Sequence, residues 1–182
     1  MNVEGINEDV ANAILTEEEK QAIDEGKEVK VYLEIIAVDE KTVPTGDKTE
    51  IEKEAETSGM KVGMYLDLSL LKQIGESEAI AVHDTDGNMI KVTITVPEEL
   101  RSTNPIIKRT FYVVRVHNGE TTVLGASTED TVSFETDKFS TYSLMYKDVS
   151  FIWLWILIIA VVIIAACTVV FFVVKKKKKT TK

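Results

Sequence analysis

The sequence predicts a mainly β fold, an antiparallel sandwich with short amino-terminal helices, followed by one carboxy-terminal transmembrane helix. Three observations predict it. Stretches such as KVYLEIIAV and MKVGMYLDLSLL alternate apolar and polar residues with the period of a half-buried strand, and similar stretches recur between glycine-containing turns. After Gly59 no strand alternates with a long helical pattern, which argues against a parallel α/β sheet. Finally, the chain closes on an apolar run, Phe151 to Val174, followed by the lysine block Lys175 to Lys179.

Residues 1–27 read as a helical lead-in packing on the sandwich. Val10, Ala13 and Ile14 share one side of a first short helix. Thr16 followed by Glu19 is a capping-box pattern, Ala22 and Ile23 supply the apolar side of a second helix, and Gly26 offers a left-handed stop.

Residues 28–147 read as the sandwich. Val29, Val31, Leu33, Ile35 and Ala37 point one way against Lys30, Tyr32 and Glu34. Pro44 and Gly46 mark a turn, and a polar helix from about Lys48 to Thr57 ends at Gly59. Met60, Val62, Met64, Leu66, Leu68 and Leu70 then alternate onto one face of a strand. EAIAVHDTDGNMIKVTITVP reads as a hairpin turning at Asp86-Gly87, with Val92, Ile94 and Val96 inward on its return strand. RTFYVVRVHNGETTVLGA reads as a second hairpin, turning at Asn118-Gly119, and TVSFET and STYSLMY complete the set. Seven or eight short strands with such turns point to an immunoglobulin-like sandwich, and the length suffices for one core.

Residues 148–150 form a juxtamembrane linker, 151–174 the span and 175–182 a basic tail. As a helix the span is about 36 Å long, enough for a hydrocarbon core of about 30 Å with some tilt. Trp153 and Trp155 stand at one edge, where indole rings favour the water boundary, and lysines stand at the other. The positive-inside bias puts that tail in the cytoplasm and the preceding residues outside the cell membrane.

Of 30 acidic and 21 basic residues, six lysines and no acid fall in the tail, so a net charge of −9 leaves the rest at −15. A region this acidic is unsuited to nucleic acid, whose phosphates need Lys and Arg, and is repelled by anionic headgroups. The start, MNVEGINEDVANAIL, has neither the basic opening nor the apolar length of an export signal. The expectation is therefore a longer surface protein of which this is the carboxy-terminal part, the alternative being a tail-anchored protein with an internal domain. Cys167 is the only cysteine and lies inside the span, so the outer region has no disulfide, which fits an exported bacterial protein better than an animal ectodomain.

Candidate chemistry is sparse. DTDGN, Asp84 to Asn88, has oxygen side chains around a glycine, but a calcium loop of the EF-hand type needs a carboxylate where this chain has Thr95. A turn accounts for it. His83 and His117 are too few for a zinc site, and no serine lies in a Gly-x-Ser-x-Gly elbow. The pairs Glu98-Glu99 and Glu129-Asp130 read as solvated surface. VPTG, Val43 to Gly46, resembles the sortase signal Leu-Pro-x-Thr-Gly, yet it lacks the intervening residue and lies far from Phe151. Retention by the helix is favoured over transfer to the wall.

FETDKFSTYSLMYKD, Phe134 to Asp148, resembles the ending of a β-sandwich module found near the carboxy terminus of surface proteins of Clostridia and relatives. LTEEEKQAI, VGMYLDLSLLKQIG, VTITVPEEL and RTFYVVRVHNG resemble other recurrent stretches of those modules. The resemblance implies an extracellular, non-enzymatic terminal domain of a multidomain protein. The same ending resembles the His-Phe-Ser motif of self-cleaving sandwich domains of the ankyrin and netrin-receptor type, in which a strained serine attacks the preceding peptide bond. Phe139 and Ser140 match that motif, but Lys138 stands where it has histidine.

The sequence thus predicts a membrane-anchored spacer or adhesion module. The alternative is a self-processing or hydrolytic extracellular domain. No catalytic, cofactor-binding or metal-ligating residue is assigned. The expected partners are the lipid bilayer and cell-wall or surface proteins, with no nucleic acid and no small-molecule substrate identified.

Overall fold

The computed structural model describes the backbone of residues 2–180 and the side chains of residues 3–153, 155–165, 167 and 168. It divides into two compact units, residues 1–101 with 109–148, and residues 102–108 with 149–182. In chain order the elements are β1 (Asn2–Glu4), α1 (Glu8–Ile14), α2 (Glu17–Asp24), β2 (Val29–Val38), α3 (Thr45–Ser58), β3 (Lys61–Ile74) and β4 (Ile80–Val82). There follow β5 (Ile90–Thr95), β6 (Ile107–His117), β7 (Glu120–Ser127), β8 (Thr131–Thr136), β9 (Thr141–Ser150) and α4 (Ile152–Thr180).

The fold is mainly β, with two antiparallel sheets. Among the described residues one sheet runs β1-β5-β8 and the other β2-β3-β9-β6-β7, with β4 also paired to β3. The main core lies between them. Leu66, Leu68 and Leu70 of β3 and Leu144 of β9 meet Ile90, Val92 and Ile94 of β5 and Phe134 of β8 there. Burying each such side chain is worth about 1.5–3 kcal/mol, so this layer dominates the stability.

The lead-in packs as its pattern requires, but it opens on a strand. Residues 2–4 pair with Lys91–Thr93 of β5, an element three residues long with no periodicity to betray it. α1 inserts Val10 and Ile14 into the core, while Ala13 stays exposed. The capping box of α2 forms as expected, with Glu19 N–H on the Thr16 hydroxyl at 3.2 Å and Thr16 N–H on Glu19 at 2.8 Å. Lys72 then clasps the lead-in, donating to the Ile14 carbonyl at 2.8 Å and to Glu19 at 2.6 Å. Burial alone would raise the Glu19 carboxyl, but the Lys72 and Thr16 hydrogen bonds outweigh it and hold the group below its ordinary range.

The apolar run from Met60 to Leu70 does not keep to one face. A bulge at Gly63 shifts the register between Val62 and Met64, so Met64, Leu66, Leu68 and Leu70 face the inter-sheet core. Met60, Val62 and Tyr65 join Ile51 and Ala55 of α3 in a second cluster. Glycine is required at the bulge because a Cβ there would sit 2.9 Å from the Leu144 carbonyl oxygen. β6 keeps its alternation, with Phe111 and Val113 in the main core and Tyr112, Val114 and Val116 in the second cluster, and the register shift opposite Val113 and Val114 falls on β7, where Leu124 is the extra residue between Val123 and Gly125. α3 itself starts at Thr45 rather than Lys48, directly after Pro44 with φ −53°, so Gly46 lies in its first turn and not in a loop. Gly59 ends it in the left-handed region, as expected.

The second unit contains the end of β9, which continues through residues 148–150 where a linker was expected. Phe151 N–H donates to the Ile106 carbonyl at 3.0 Å, and α4 follows. Among the described residues no helix is long and apolar enough to cross a membrane. The expected span 151–174 and tail 175–182 fall partly outside those residues, since α4 side chains are described only as far as residue 168.

Candidate functional site

Both Asn-Gly and Asp-Gly signals adopt left-handed turns, with φ of 52° and 77° at Asn118 and Gly119 and 53° and 80° at Asp86 and Gly87. Only the first closes a hairpin, with His117 opposite Glu120. The expected hairpin at Asp86-Gly87 is corrected by the pairing: β4 lies on β3, and β5 lies between β1 and β8 in the other sheet. The physical reason is an alternative partner. Ile90 pairs with Thr136 while Thr85 N–H donates to the Asp137 carbonyl at 2.9 Å, so residues 86–89 loop out of one continuous ladder. Asp84 bridges Lys138, and Phe139 N–H donates to the His83 carbonyl at 2.9 Å. Two chain segments therefore cross between the sheets side by side.

Buried polar groups pin this crossing. The Thr85 hydroxyl, on a fully buried residue, donates to the Asn88 carbonyl at 2.6 Å. Arg115, 9% exposed, donates through Nη1 to the Thr136 hydroxyl at 3.0 Å and to Asp137 at 3.2 Å. The Tyr142 hydroxyl donates to the Lys138 carbonyl and shares a 2.7 Å hydrogen bond with Thr136. Burial pushes the Tyr142 phenol up to about 12, against the opposing pull of Thr136 and Arg115. The loop's own side chains are spent on the turn: Asp84 accepts Asp86 N–H at 2.7 Å, and the Asn88 amide donates to the Thr85 carbonyl at 2.8 Å.

The Phe139-Ser140 bond lies at this crossing. Phe139 is 1% exposed, and the Ser140 carbonyl accepts Leu68 N–H at 3.2 Å. The Ser140 hydroxyl donates to the Val116 carbonyl at 2.5 Å, which commits its proton to a neighbouring strand rather than to a base. Lys138 is half-buried. What the spacing could not show is that His83, arriving from β4, lines a small hollow of about 50 Å³ with Phe139 and Ser140. No local signal links residues so far apart in sequence.

The remaining sequence candidates are scattered. His117 is half-buried with Nδ1 unpartnered among the described residues, and His83 is exposed. Glu98-Glu99 and Glu129-Asp130 are exposed, Asp130 being paired to Arg101 at 2.9 Å. Val43 is 7% exposed in the second cluster, and Thr45-Gly46 are helical, so VPTG is not an extended, accessible segment. Cys167 is free and exposed on α4. Among the described residues no group of three or more His, Cys, Asp or Glu is placed to hold a metal ion.

Sequence reading also passed over a cleft of about 380 Å³ between α3 and the β3 bulge, lined by Val38, Glu40, Glu52, Gly63 and Tyr65 among others. Lys48 of α3 bonds Glu40 directly, while Glu52 stands 3.7 Å from the same ammonium. Glu40 raises the Lys48 ammonium above its ordinary value. Tyr65 is 6% exposed, and its hydroxyl makes no hydrogen bond among the described residues. Burial, then Glu52 and Glu40, push its phenol up.

No protein-family model, curated protein or solved structure matches this chain.

Proposed function

We propose that this chain is a non-enzymatic, membrane-anchored extracellular module, an immunoglobulin-like sandwich that presents whatever it carries away from a bacterial cell surface. The observation that carries the reading is α4. Its described apolar side chains are exposed, Ile156 at 61%, Val161 at 64% and Ile164 at 63%, and a helix apolar on all sides needs lipid around it. The lysine block after it sets the direction, tail inward. Tyr142, whose hydroxyl bonds the backbone four residues upstream, supports the immunoglobulin-like reading, because that contact resembles the tyrosine corner of such sandwiches.

Protease added to intact cells should remove the sandwich and leave a small membrane-held fragment. Full protection of the sandwich would overturn the reading in favour of an internal, tail-anchored domain. The rival reading, self-processing at Phe139-Ser140, draws on His83 lining the hollow beside that bond. Mass spectrometry of the purified chain should give one intact mass, the same for Ser140→Ala apart from the substitution. A new amino terminus at Ser140 in the unmodified chain would make this a self-processing module.

A further inference from the structure

Strand β2 presents a long, open edge. Among the described residues it lies at the end of its sheet, with β3 on one side and no strand on the other. The remaining edges are guarded: β1 and β4 are three residues long, and β7 and β8 run so close together that a Cβ on Gly125 would sit 2.6 Å from the Ser133 carbonyl oxygen. The phase of the ladder fixes which groups of β2 are left over. Gly75 N–H donates to the Glu28 carbonyl at 2.7 Å and the register continues from there, so the backbone groups of Glu28, Lys30, Tyr32, Glu34 and Ile36 serve β3. Those of Val29, Val31, Leu33, Ile35 and Ala37 point away from the sheet, a template for one more strand. On the outer face Tyr32 and Ile36 are 41% and 46% exposed, and Lys30 is only loosely paired to Glu28, at 3.9 Å. On the inner face Val31, Leu33 and Ile35 reach the core but stay half-buried, so an added strand would finish covering them.

We propose that this edge pairs with the same edge of a second copy of the chain, antiparallel about a two-fold axis at Tyr32. In that register Tyr32 faces Tyr32 of the copy on the outer side, while Val31 faces Leu33 and Val29 faces Ile35 on the inner side. Charge selects it. Lys30 falls directly opposite Glu34 of the copy, and Glu34 opposite Lys30 of the copy, in non-hydrogen-bonded pairs whose side chains approach most closely. Glu34 is exposed and has no ionic partner of its own among the described residues. Sliding the copy two residues one way sets Lys30 against Ile36 and Glu34 against Tyr32. Sliding it two residues the other way sets Glu28 against Glu34, two like charges. The edge is complementary to itself, which no unrelated strand is obliged to be, and the union makes one continuous sheet of the two that β2 borders.

The test is the oligomeric state of the full chain in uncharged maltoside micelles, followed by sedimentation equilibrium over a concentration series. A reversible dimer is expected. Glu34→Lys, which sets a lysine against Lys30 twice over, should weaken it about tenfold, and Lys30→Glu should do the same. The double variant Lys30→Glu/Glu34→Lys restores opposite charges across the axis and should return to within about threefold of the natural chain. Association through α4 would ignore all three variants. Cysteine cross-linking then reads the register, in a Cys167→Ser background that leaves only the introduced thiol. Tyr32→Cys brings two Cα atoms to about 4.5 Å, inside disulfide range, and should cross-link under mild oxidation. Ile36→Cys, similarly exposed, lies about 26 Å from its counterpart along the paired strands and should not. A chain still monomeric at about 0.2 mM would leave the edge to a strand of another protein and overturn the proposal. So would a dimer that Glu34→Lys leaves intact, a double variant no tighter than the single ones, or cross-linking at Tyr32→Cys no greater than at Ile36→Cys.

Discussion

Asp86-Gly87 and Asn118-Gly119 are near copies as local sequence, and the fold uses them in opposite ways. Each puts two consecutive residues in the left-handed region with almost the same φ values. At Asn118-Gly119 the flanking strands β6 and β7 pair with each other, so the turn is the hairpin it promises. At Asp86-Gly87 the flanks belong to different sheets, and the turn is a loop extruded from a ladder that pairs residues 84 and 85 with residues 137 and 138. Turn chemistry therefore reverses a chain without choosing its partner. The choice is made by what is buried around it: bare backbone at the hairpin, and Thr85, Thr136, Phe139 and Tyr142 at the crossing.

The comparison breaks most visibly at Phe139. Truncating this 1% exposed ring to alanine should cost about 3–5 kcal/mol in urea unfolding, since a cavity opens where the two segments change sheet. Val123→Ala, on the hairpin strand β7 at 47% exposure, should stay within about 0.5 kcal/mol. Equal losses at the two sites would mean that the crossing is no more deeply held than the hairpin.

A smaller effect separates the regions by pH. In the folded chain the Tyr142 phenol keeps its proton to about pH 12, whereas an unfolded tyrosine ionises near 10. Between those values the folded state holds a proton that the unfolded state has lost, so stability is full below pH 10 and falls as pH rises, by roughly 2–3 kcal/mol in all. Tyr142→Phe should be less stable than the natural chain at neutral pH by the lost hydrogen bonds, about 1–2 kcal/mol. That gap should close and then reverse between pH 10 and 12. A gap that stays constant with pH would place the Tyr142 hydroxyl in solvent rather than in the core.

What the sequence disclosed follows the range of the interaction responsible. The alternation of β2 from Val29 to Ile35 and the inward Val92, Ile94 and Val96 are read correctly because a period of two and burial on one side are local facts, whereas Ala37, expected inward, is exposed. The capping box of α2 and the stop at Gly59 are local as well. The β3 run misleads because Gly63 turns the face over halfway, and the reason for a glycine there is the Leu144 carbonyl of a distant strand. β1 is invisible because its pairing with β5 supplies all of its order. The same holds for function. Glu40, Glu52 and Tyr65 are unremarkable among many acids and several tyrosines until α3 is laid over the bulge, and His83 meets Ser140 only through the crossing.

The smallest expected effect is the sharpest test of how far the two turns are alike. Gly87 and Gly119 both have positive φ, 80° and 77°, and a Cβ at either would meet nothing within 4 Å. Alanine at each position is opposed by the backbone conformation alone, and the penalty should be about 1–2 kcal/mol at both sites, matching within about 0.5 kcal/mol. Exchange of the Thr85 and Phe139 amides, which span the crossing, should speed up no more in Gly87→Ala than the global loss of stability requires. If Gly87→Ala instead costs several times what Gly119→Ala does, and those two amides lose protection first, then the extruded loop is part of what holds the sheets together. The turn at Asp86 would then be chosen for the crossing rather than tolerated beside it.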